Sequence, residues 1–133
     1  MSKQVIVSNE APYPIGRYSQ AIIAGGDLLF ISGQLGVRKA TMKLCSDDLK
    51  DQTEQIFSNI APILAEVGLT FDDVVKSTLF LTNLEDSSVV NDIYSLYFKE
   101  EAPARSLVEV QKLPLNAKVM IEMIATTRYS KSQ

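Results

Sequence analysis

Histidine and tryptophan are absent from this chain of 133 residues, and its one cysteine is Cys45. Without histidine, the chain cannot form a Ser-His-Asp or Cys-His nucleophile or a histidine acid–base pair. It has no imidazole to offer zinc, and a single thiol can form neither a thiolate cluster nor an internal disulfide. Any chemistry must therefore depend on other polar side chains, on backbone amides or on bound water.

A long apolar run and an excess of positive charge are also absent. No run reaches the ~18 apolar residues of a membrane-spanning helix, and residues 1–20 lack the apolar core of a signal peptide. Lys and Arg number 13 against 16 Asp and Glu, which gives a net charge of −3. The overall basic field of a nucleic-acid-binding domain is thus missing. We expect a cytoplasmic protein that does not bind a membrane, and the charge balance disfavours a nucleic acid as partner.

The length and the hydrophobic fraction of 46% are those of one globular domain. No linker-like tract or internal repeat divides residues 1–133, so we expect a single domain. The apolar spacing predicts the order β-β-β-α-β-α-β-β, an α+β fold with one six-stranded sheet. The predicted strands are 3–7, 18–24, 28–35, 74–81, 105–110 and 118–126, the predicted helices are 46–67 and 87–98, and segment 36–45 is a predicted loop.

Three local signals refine this prediction. The Gly25-Gly26-Asp27 connection predicts a hairpin between the second and third strands. Ser46 is predicted to cap the first helix, and Gly68 is predicted to end it. Pro62 predicts a kink or a weakened last turn in that helix, because proline lacks the backbone N–H.

The last two strands predict apolar residues on both faces of the sheet. In the first of them, Val108 and Val110 alternate with Arg105, Leu107 and Glu109. In the second, Val119, Ile121 and Met123 alternate with Met120, Glu122 and Ile124. Two helices cover only one face of such a sheet, so we expect the other face to meet another subunit.

Short motifs extend over nearly the whole chain. They are Ile15-Gly16, Tyr18-Ser19-Gln20-Ala21, Ile31-Ser32-Gly33-Gln34, Val74-Val75-Lys76, Val90-Asn91, Pro103-Ala104-Arg105-Ser106, Val108-Glu109-Val110 and Leu113-Pro114. In order and spacing they resemble the RidA (YjgF) family, some of whose members are named endoribonuclease L-PSP. The resemblance implies a chorismate-mutase-like fold with a mixed sheet, and a homotrimer with clefts between subunits. It also implies hydrolysis of 2-imino and enamino acids, such as 2-iminobutanoate and 2-iminopropanoate, to 2-keto acids and ammonia without a cofactor or metal.

The resemblance also suggests which residues bind the substrate. An arginine at the position of Arg105 holds the substrate carboxylate in the family, a task that suits the planar guanidinium fork. From the residues alone, Arg105 could instead be an edge-strand arginine in a surface ion pair. Tyr18 matches a cleft tyrosine beside the substrate and its water, and Ser32 and Gly33 match a ligand-binding turn. Asn91 either contacts the substrate or supports a neighbouring loop.

Two residues of the predicted site depart from the family pattern. Leu107 stands where deaminase-type members carry cysteine, and Met120 stands where they carry a glutamate thought to activate water. Glu122 shares the face of Met120, but its position is roughly 6.5–7 Å further along the strand. It therefore cannot simply replace the missing carboxylate.

Three functions are compatible with this pattern. The first is imine or enamine deamination, in which the 2-imino acid is held by Arg105. The second is a non-catalytic trimer that binds 2-keto or 2-imino acids as a sensor or regulator. The third is endoribonuclease or translation-inhibitor activity, which we rank last because the chain is acidic and lacks histidine.

Overall fold

The computed structural model describes residues 2–127, in which six strands form one mixed sheet and two helices lie on one of its faces. The elements are β1 (Lys3–Ile6), β2 (Ala21–Ala24), β3 (Leu28–Gln34), β4 (Val37–Arg38), β5 (Lys43–Leu44), α1 (Leu49–Glu66), β6 (Val74–Leu81), α2 (Ser87–Tyr97), β7 (Ala104–Glu109) and β8 (Val119–Thr126). The order across the sheet is β1-β2-β3-β8-β6-β7, and β6 and β7 run parallel. The predicted α+β architecture is therefore confirmed.

The core lies between the sheet and the two helices. On β8, Val119, Ile121 and Met123 are buried as the alternation predicts. They face a helical stripe on α1 whose side chains are also buried, formed by Ile56, Phe57, Ile60, Ile63 and Leu64. Burial of each such side chain contributes about 1.5–3 kcal/mol, so this layer fixes α1 against the sheet.

The segment 36–45 forms a short hairpin of β4 and β5, so the prediction of a loop there was wrong. Val37 pairs with Leu44 and Arg38 pairs with Lys43. Each strand has only two residues, which is too short for an alternation of polarity to be recognised. Gly36 precedes the hairpin, and a Cβ there would lie 2.6 Å from the Gln52 Cα. Glycine thus lets the hairpin approach the α1 backbone.

The predicted strand 18–24 begins only at Ala21. The Tyr18 amide donates to the Gly16 carbonyl over 3.0 Å, which holds this part of the chain in a tight turn. The predicted glycine hairpin is confirmed, because Gly25 and Gly26 have φ values of 63° and 80° between the paired strands β2 and β3. Both values lie in the region where glycine avoids a steric cost.

The N-cap of helix α1 lies two residues later than predicted. Asp48, not Ser46, is its N-cap, and the Asp48 carboxylate accepts from the Asp51 amide over 3.0 Å. The helix continues through Pro62 to Glu66, so the proline does not end it. Neither helix in residues 2–127 is long and apolar enough to cross a membrane.

The face of the sheet away from the helices carries a row of apolar side chains. Val5, Ile22, Phe30 and Ile124 are cross-strand neighbours on β1, β2, β3 and β8. Val5 is 53% exposed and Phe30 is 42% exposed. A continuous apolar row that crosses four strands is unusual for a surface that meets only water. We call these four residues the outer apolar row.

Candidate functional site

A cavity of about 480 Å³ opens between the N-terminal segment, β3 and β8. Four of the residues predicted from the sequence line it together: Tyr18, Ser32, Gly33 and Met120. Most of the remaining wall is apolar and was not predicted; it is formed by Pro12, Tyr13, Pro14, Ile15, Leu35, Val37, Met42, Pro114 and Leu115, with polar Gln20, Gln34 and Glu122. The apolar residues of this wall come from loops, a short 3-10 turn and β4, so no periodic pattern marks them in the sequence.

Gln20 is the buried residue that holds the N-terminal wall in place. Its Oε1 accepts from the Ser8 amide over 2.6 Å, and its Nε2 donates to the carbonyls of Ser8 and Pro12 over 3.1 and 2.9 Å. A buried amide with this many partners fixes the loop it binds. The Gln20 side chain is therefore committed to structure, although it borders the cavity.

Ser32 has a hydroxyl group that is already used as a donor. Its Oγ donates to the Ser19 carbonyl over 2.6 Å, and its backbone amide donates to the Gln20 carbonyl over 2.9 Å. A hydroxyl has one proton and two lone pairs. Ser32 can therefore accept a hydrogen bond from a ligand without losing its contact with Ser19.

Gly33 and Met120 touch across the floor of the cavity. A Cβ at Gly33 would lie 2.9 Å from the Met120 Sδ and 3.1 Å from its Cγ. The Met120 side chain thus occupies the space directly beside the turn that the sequence predicts to bind the ligand. A thioether is at most a weak acceptor, so this position offers no general base.

Tyr18 and Glu122 lie at the boundary between this cavity and a second one of about 620 Å³ on the same outer face. Tyr18 is 50% exposed, and its hydroxyl accepts from the Ile15 amide over a long 3.5 Å contact. Glu122 is exposed on β8, two residues beyond Met120. Both groups can meet a bound molecule, but Glu122 is displaced along the strand from the position of Met120.

Arg105 lies elsewhere, on the edge strand β7 and on the side of the sheet that faces α2. Its Nη1 donates to the Asn91 Oδ1 over 2.8 Å, and its Cζ lies 4.9 Å from the centre of the Tyr94 ring. Among residues 2–127, no carboxylate lies within ion-pair distance of Arg105. The alternative of a surface ion pair is thus not supported within this part of the chain.

Leu107 lies on the same side of β7 as Arg105 and is half-buried against the core. Below Arg105, the Tyr94 hydroxyl and the Ser77 Oγ are 2.6 Å apart. Burial raises the pKa of the Tyr94 phenol; the hydrogen bond to Ser77 and the positive charge of Arg105 oppose this rise. The phenol therefore stays protonated at neutral pH, and Arg105 keeps its positive charge available to a ligand.

The predicted site residues thus form two groups in one chain. Arg105, Asn91 and Leu107 lie on the helix side at the β7 edge, whereas Met120 projects from the opposite face. Strands β8 and β6 separate β3 from β7, which places those two strands roughly 14 Å apart. The sequence predicted the members of both groups but not their separation within the chain.

Within residues 2–127, no three carboxylate, thiol or imidazole groups cluster closely enough to hold a metal ion. The polar groups at the β7 edge and in the cavity include the Arg105 guanidinium, the Tyr18 and Ser32 hydroxyls and the Glu122 carboxylate. Such groups can orient a small carboxylic acid and a water molecule.

Comparisons with known proteins assign the family. The family described as Endoribonuclease L-PSP matches residues 8–127. Reactive Intermediate Deaminase A, chloroplastic, of Arabidopsis thaliana is 46% identical over 126 residues, which is 95% of this chain and 67% of that protein. The chain therefore belongs to the endoribonuclease L-PSP family, which includes the Rid proteins, and the predicted membership is confirmed.

Solved structures agree with this assignment. The Rid family protein YyfA of Yersinia pestis has a TM-score of 0.89 and 48% identity, with 93% of this chain and 98% of that chain covered. Escherichia coli TdcF with bound serine has a TM-score of 0.84 and 36% identity, with 92% and 98% covered. The α+β fold is thus the Rid fold.

Proposed function

We propose that this chain is a homotrimeric deaminase that hydrolyses reactive 2-imino and enamino acids, such as 2-iminobutanoate and 2-iminopropanoate, to 2-keto acids and ammonia. Arg105 of one copy holds the substrate carboxylate, and the cavity of a neighbouring copy surrounds the reacting carbon. The relative named Reactive Intermediate Deaminase A supports this reaction class. The serine bound to TdcF is likewise a small amino acid with a carboxylate.

The observation that carries this proposal is that the Arg105 guanidinium is held in place but has no ion-pair partner in residues 2–127. It is oriented by Asn91 and Tyr94, yet no carboxylate in residues 2–127 neutralises it. An oriented guanidinium with unused N–H groups is suited to grip a carboxylate with two parallel hydrogen bonds. Arg105 is therefore the anchor from which the rest of the substrate is placed.

The need for a second copy follows from the separation of the two groups. Within one chain, Arg105 and Met120 lie on opposite sides of the sheet, so one small acid cannot touch both. The outer apolar row, with Val5 and Phe30 about half exposed, supplies a surface that association would bury. In a closed ring, the β7 edge of each copy can meet the cavity of the next.

The reaction needs only water as a second substrate. The water oxygen adds to the C=N carbon of the protonated imine, and one of its protons moves to the nitrogen. The C–N bond then breaks as the C=O bond forms, and the remaining hydroxyl proton passes to the departing ammonia, so that the products are ammonium and the 2-keto acid. In this proposal, Tyr18 and the Ser32 oxygen accept hydrogen bonds from this water, while orientation by Arg105 supplies much of the rate.

Met120 favours a second candidate, a trimer that binds 2-keto or 2-imino acids without turning them over. The Met120 thioether fills the space beside Gly33, where a carboxylate base would otherwise be placed. Loss of one general base costs about 10²–10⁴-fold in rate. In this case the cleft is intact and the chain acts through binding.

The test is release of 2-keto acid from 2-iminobutanoate that a threonine dehydratase generates in the same cuvette. Four variants accompany the unmodified protein: Arg105→Ala, Arg38→Ala, Met120→Glu and Met120→Gln. Deamination predicts acceleration by the unmodified protein and by Arg38→Ala, which changes an exposed arginine on β4, but not by Arg105→Ala. The alternative result is that Met120→Glu accelerates 2-keto acid release while the unmodified protein and Met120→Gln do not. That result would favour the binding protein instead.

A further inference from the structure

Tyr94 is a buried tyrosine on α2 whose side chain contacts two neighbouring strands. Its hydroxyl is 2.6 Å from the Ser77 Oγ on β6, and its ring centre lies 4.9 Å from the Arg105 Cζ on β7. Ser77 and Arg105 are register partners in the parallel β6–β7 pair. The Tyr94 side chain therefore contacts two cross-strand neighbours, the buried Ser77 and the charged Arg105.

We propose that Tyr94 is a positioning residue for the carboxylate anchor: its ring is the platform on which the Arg105 guanidinium rests, and Ser77 fixes that ring. This inference rests on the proposed role of Arg105 in binding the substrate carboxylate. It assigns to Tyr94 and Ser77 a part in substrate affinity, although neither side chain lines the cavity.

The geometry explains how the platform orients the guanidinium. A cation over an aromatic face is attracted by the ring quadrupole. Asn91, one helical turn before Tyr94, accepts from one guanidinium nitrogen over 2.8 Å. The ring and the amide together hold an exposed side chain that would otherwise sample many rotamers. The N–H groups that Asn91 does not use remain available to a carboxylate.

The platform is rigid because the Tyr94 ring belongs to a buried aromatic cluster. Its centre lies 4.6 Å from that of Phe98 and 6.2 Å from that of Phe57. The platform is also uncharged, since burial raises the pKa of its phenol. A phenolate at this place would pair with Arg105 and compete with the substrate carboxylate, whereas a neutral ring does not.

The first experiment measures the Kd of 2-ketobutyrate by calorimetry for Tyr94→Leu and for a matched control, Tyr97→Leu. Tyr97 belongs to the same helix and the same cluster, where it stacks on Phe57, but it does not contact Arg105. We expect the Kd to rise about 3- to 30-fold in Tyr94→Leu, the range of a partly desolvated cation–π contact. In Tyr97→Leu it should stay within about 2-fold.

The second experiment keeps the shape of the ring, so that folding is not at issue. Replacement of Tyr94 by a trifluorinated phenylalanine, in a Ser77→Ala background, withdraws electrons from the ring while leaving no buried hydroxyl unpaired. The reference is Tyr94→Phe in the same background, which retains both the ring and its electrons. The fluorinated protein should bind 2-ketobutyrate about 3-fold more weakly than the reference.

A coupling cycle separates positioning from a general structural effect. In an Arg105→Ala background, Tyr94→Leu should no longer change the Kd, because the platform acts only through the guanidinium. In the deamination assay, Tyr94→Leu should raise KM with little change in kcat. The same loss of affinity with and without Arg105, or equal losses in Tyr94→Leu and Tyr97→Leu, would overturn the inference.

The outcomes also distinguish this inference from the proposed function. If Arg105→Ala greatly weakens 2-ketobutyrate binding but neither Tyr94 replacement weakens it, Arg105 is the anchor and the role of Tyr94 as its platform is wrong. If Arg105→Ala binds as well as the unmodified protein, the anchor itself is wrong and the platform fails with it.

Discussion

The two groups of candidate site residues, one at the β7 edge and one in the cavity, differ in the polar groups that they expose. At the β7 edge, Arg105 is exposed and charged, and its partners Asn91 and Tyr94 come from one face of α2. In the cavity, most of the wall is apolar, and the hydroxyl of Ser32 is committed to the backbone. The edge thus presents an available charge, whereas the cavity presents shape and few available polar groups.

In the proposed function, this difference separates substrate binding from catalysis. Carboxylate binding is assigned to the edge, where Arg105 and Asn91 match the family pattern and Leu107 replaces a cysteine. Water activation is assigned to the cavity, where Met120 stands in place of the expected glutamate and touches Gly33. The proposed function therefore predicts that variants at the edge and variants in the cavity have different consequences.

The largest effect is expected from the support of the cavity wall. Gln20→Leu removes the buried partners of Ser8 and Pro12, which should lower the free energy of unfolding by about 3 kcal/mol. Urea denaturation measures this loss. Gln55→Leu is the matched control, because its amide has one side-chain partner, Asn59. Equal losses in the two variants would contradict the structural role of Gln20.

The next effect is expected at the edge. Arg105→Lys keeps the positive charge but removes the planar fork, so the Kd of 2-ketobutyrate should rise about 10- to 100-fold. Calorimetry measures this change, with Arg38→Lys as the control on β4. If lysine binds the acid as tightly as arginine, charge alone anchors the ligand and the fork geometry is irrelevant.

A smaller effect is expected where Gly33 meets Met120. The Cβ of Gly33→Ala would lie 2.9 Å from the Met120 Sδ, so the flexible thioether must move into the cavity. We expect the Kd of 2-ketobutyrate to rise about 5-fold, which corresponds to about 1 kcal/mol at the lower end of overpacking costs. The double variant Gly33→Ala with Met120→Ala should restore the affinity. Failure of that rescue would show that the contact does not shape the site.

The smallest effect is expected from the Tyr94 phenol. Its raised pKa means that the folded chain keeps a proton which the unfolded chain releases above about pH 10. Its contribution to stability is therefore present below pH 10 and is lost as the pH rises further. Denaturation between pH 9 and pH 11 should show a smaller decline for Tyr94→Phe than for the unmodified protein. Identical declines would contradict the shift.

Much of the fold follows from local patterns, because β8 alternates regularly and α1 carries a full apolar stripe. The β4–β5 hairpin was missed because two-residue strands leave no period to detect. The candidate site residues were predicted from the family resemblance. The face of the sheet on which Arg105 lies was predicted from the alternation of residues along its strand. The contact between Tyr94 and Arg105 depends on the parallel register of β6 and β7, which no local pattern encodes.

The most direct test of a cleft shared between copies is complementation between two defective variants. Arg105→Ala lacks the anchor, and Gly33→Leu blocks the cavity with a side chain against Met120. Alone, neither protein should bind 2-ketobutyrate with the affinity of the unmodified protein. Co-expressed in equal amounts, they should recover about a quarter of the binding sites, because random trimers then contain clefts with one intact half from each copy. No recovery in mixed trimers that melt normally would contradict a cleft shared between copies.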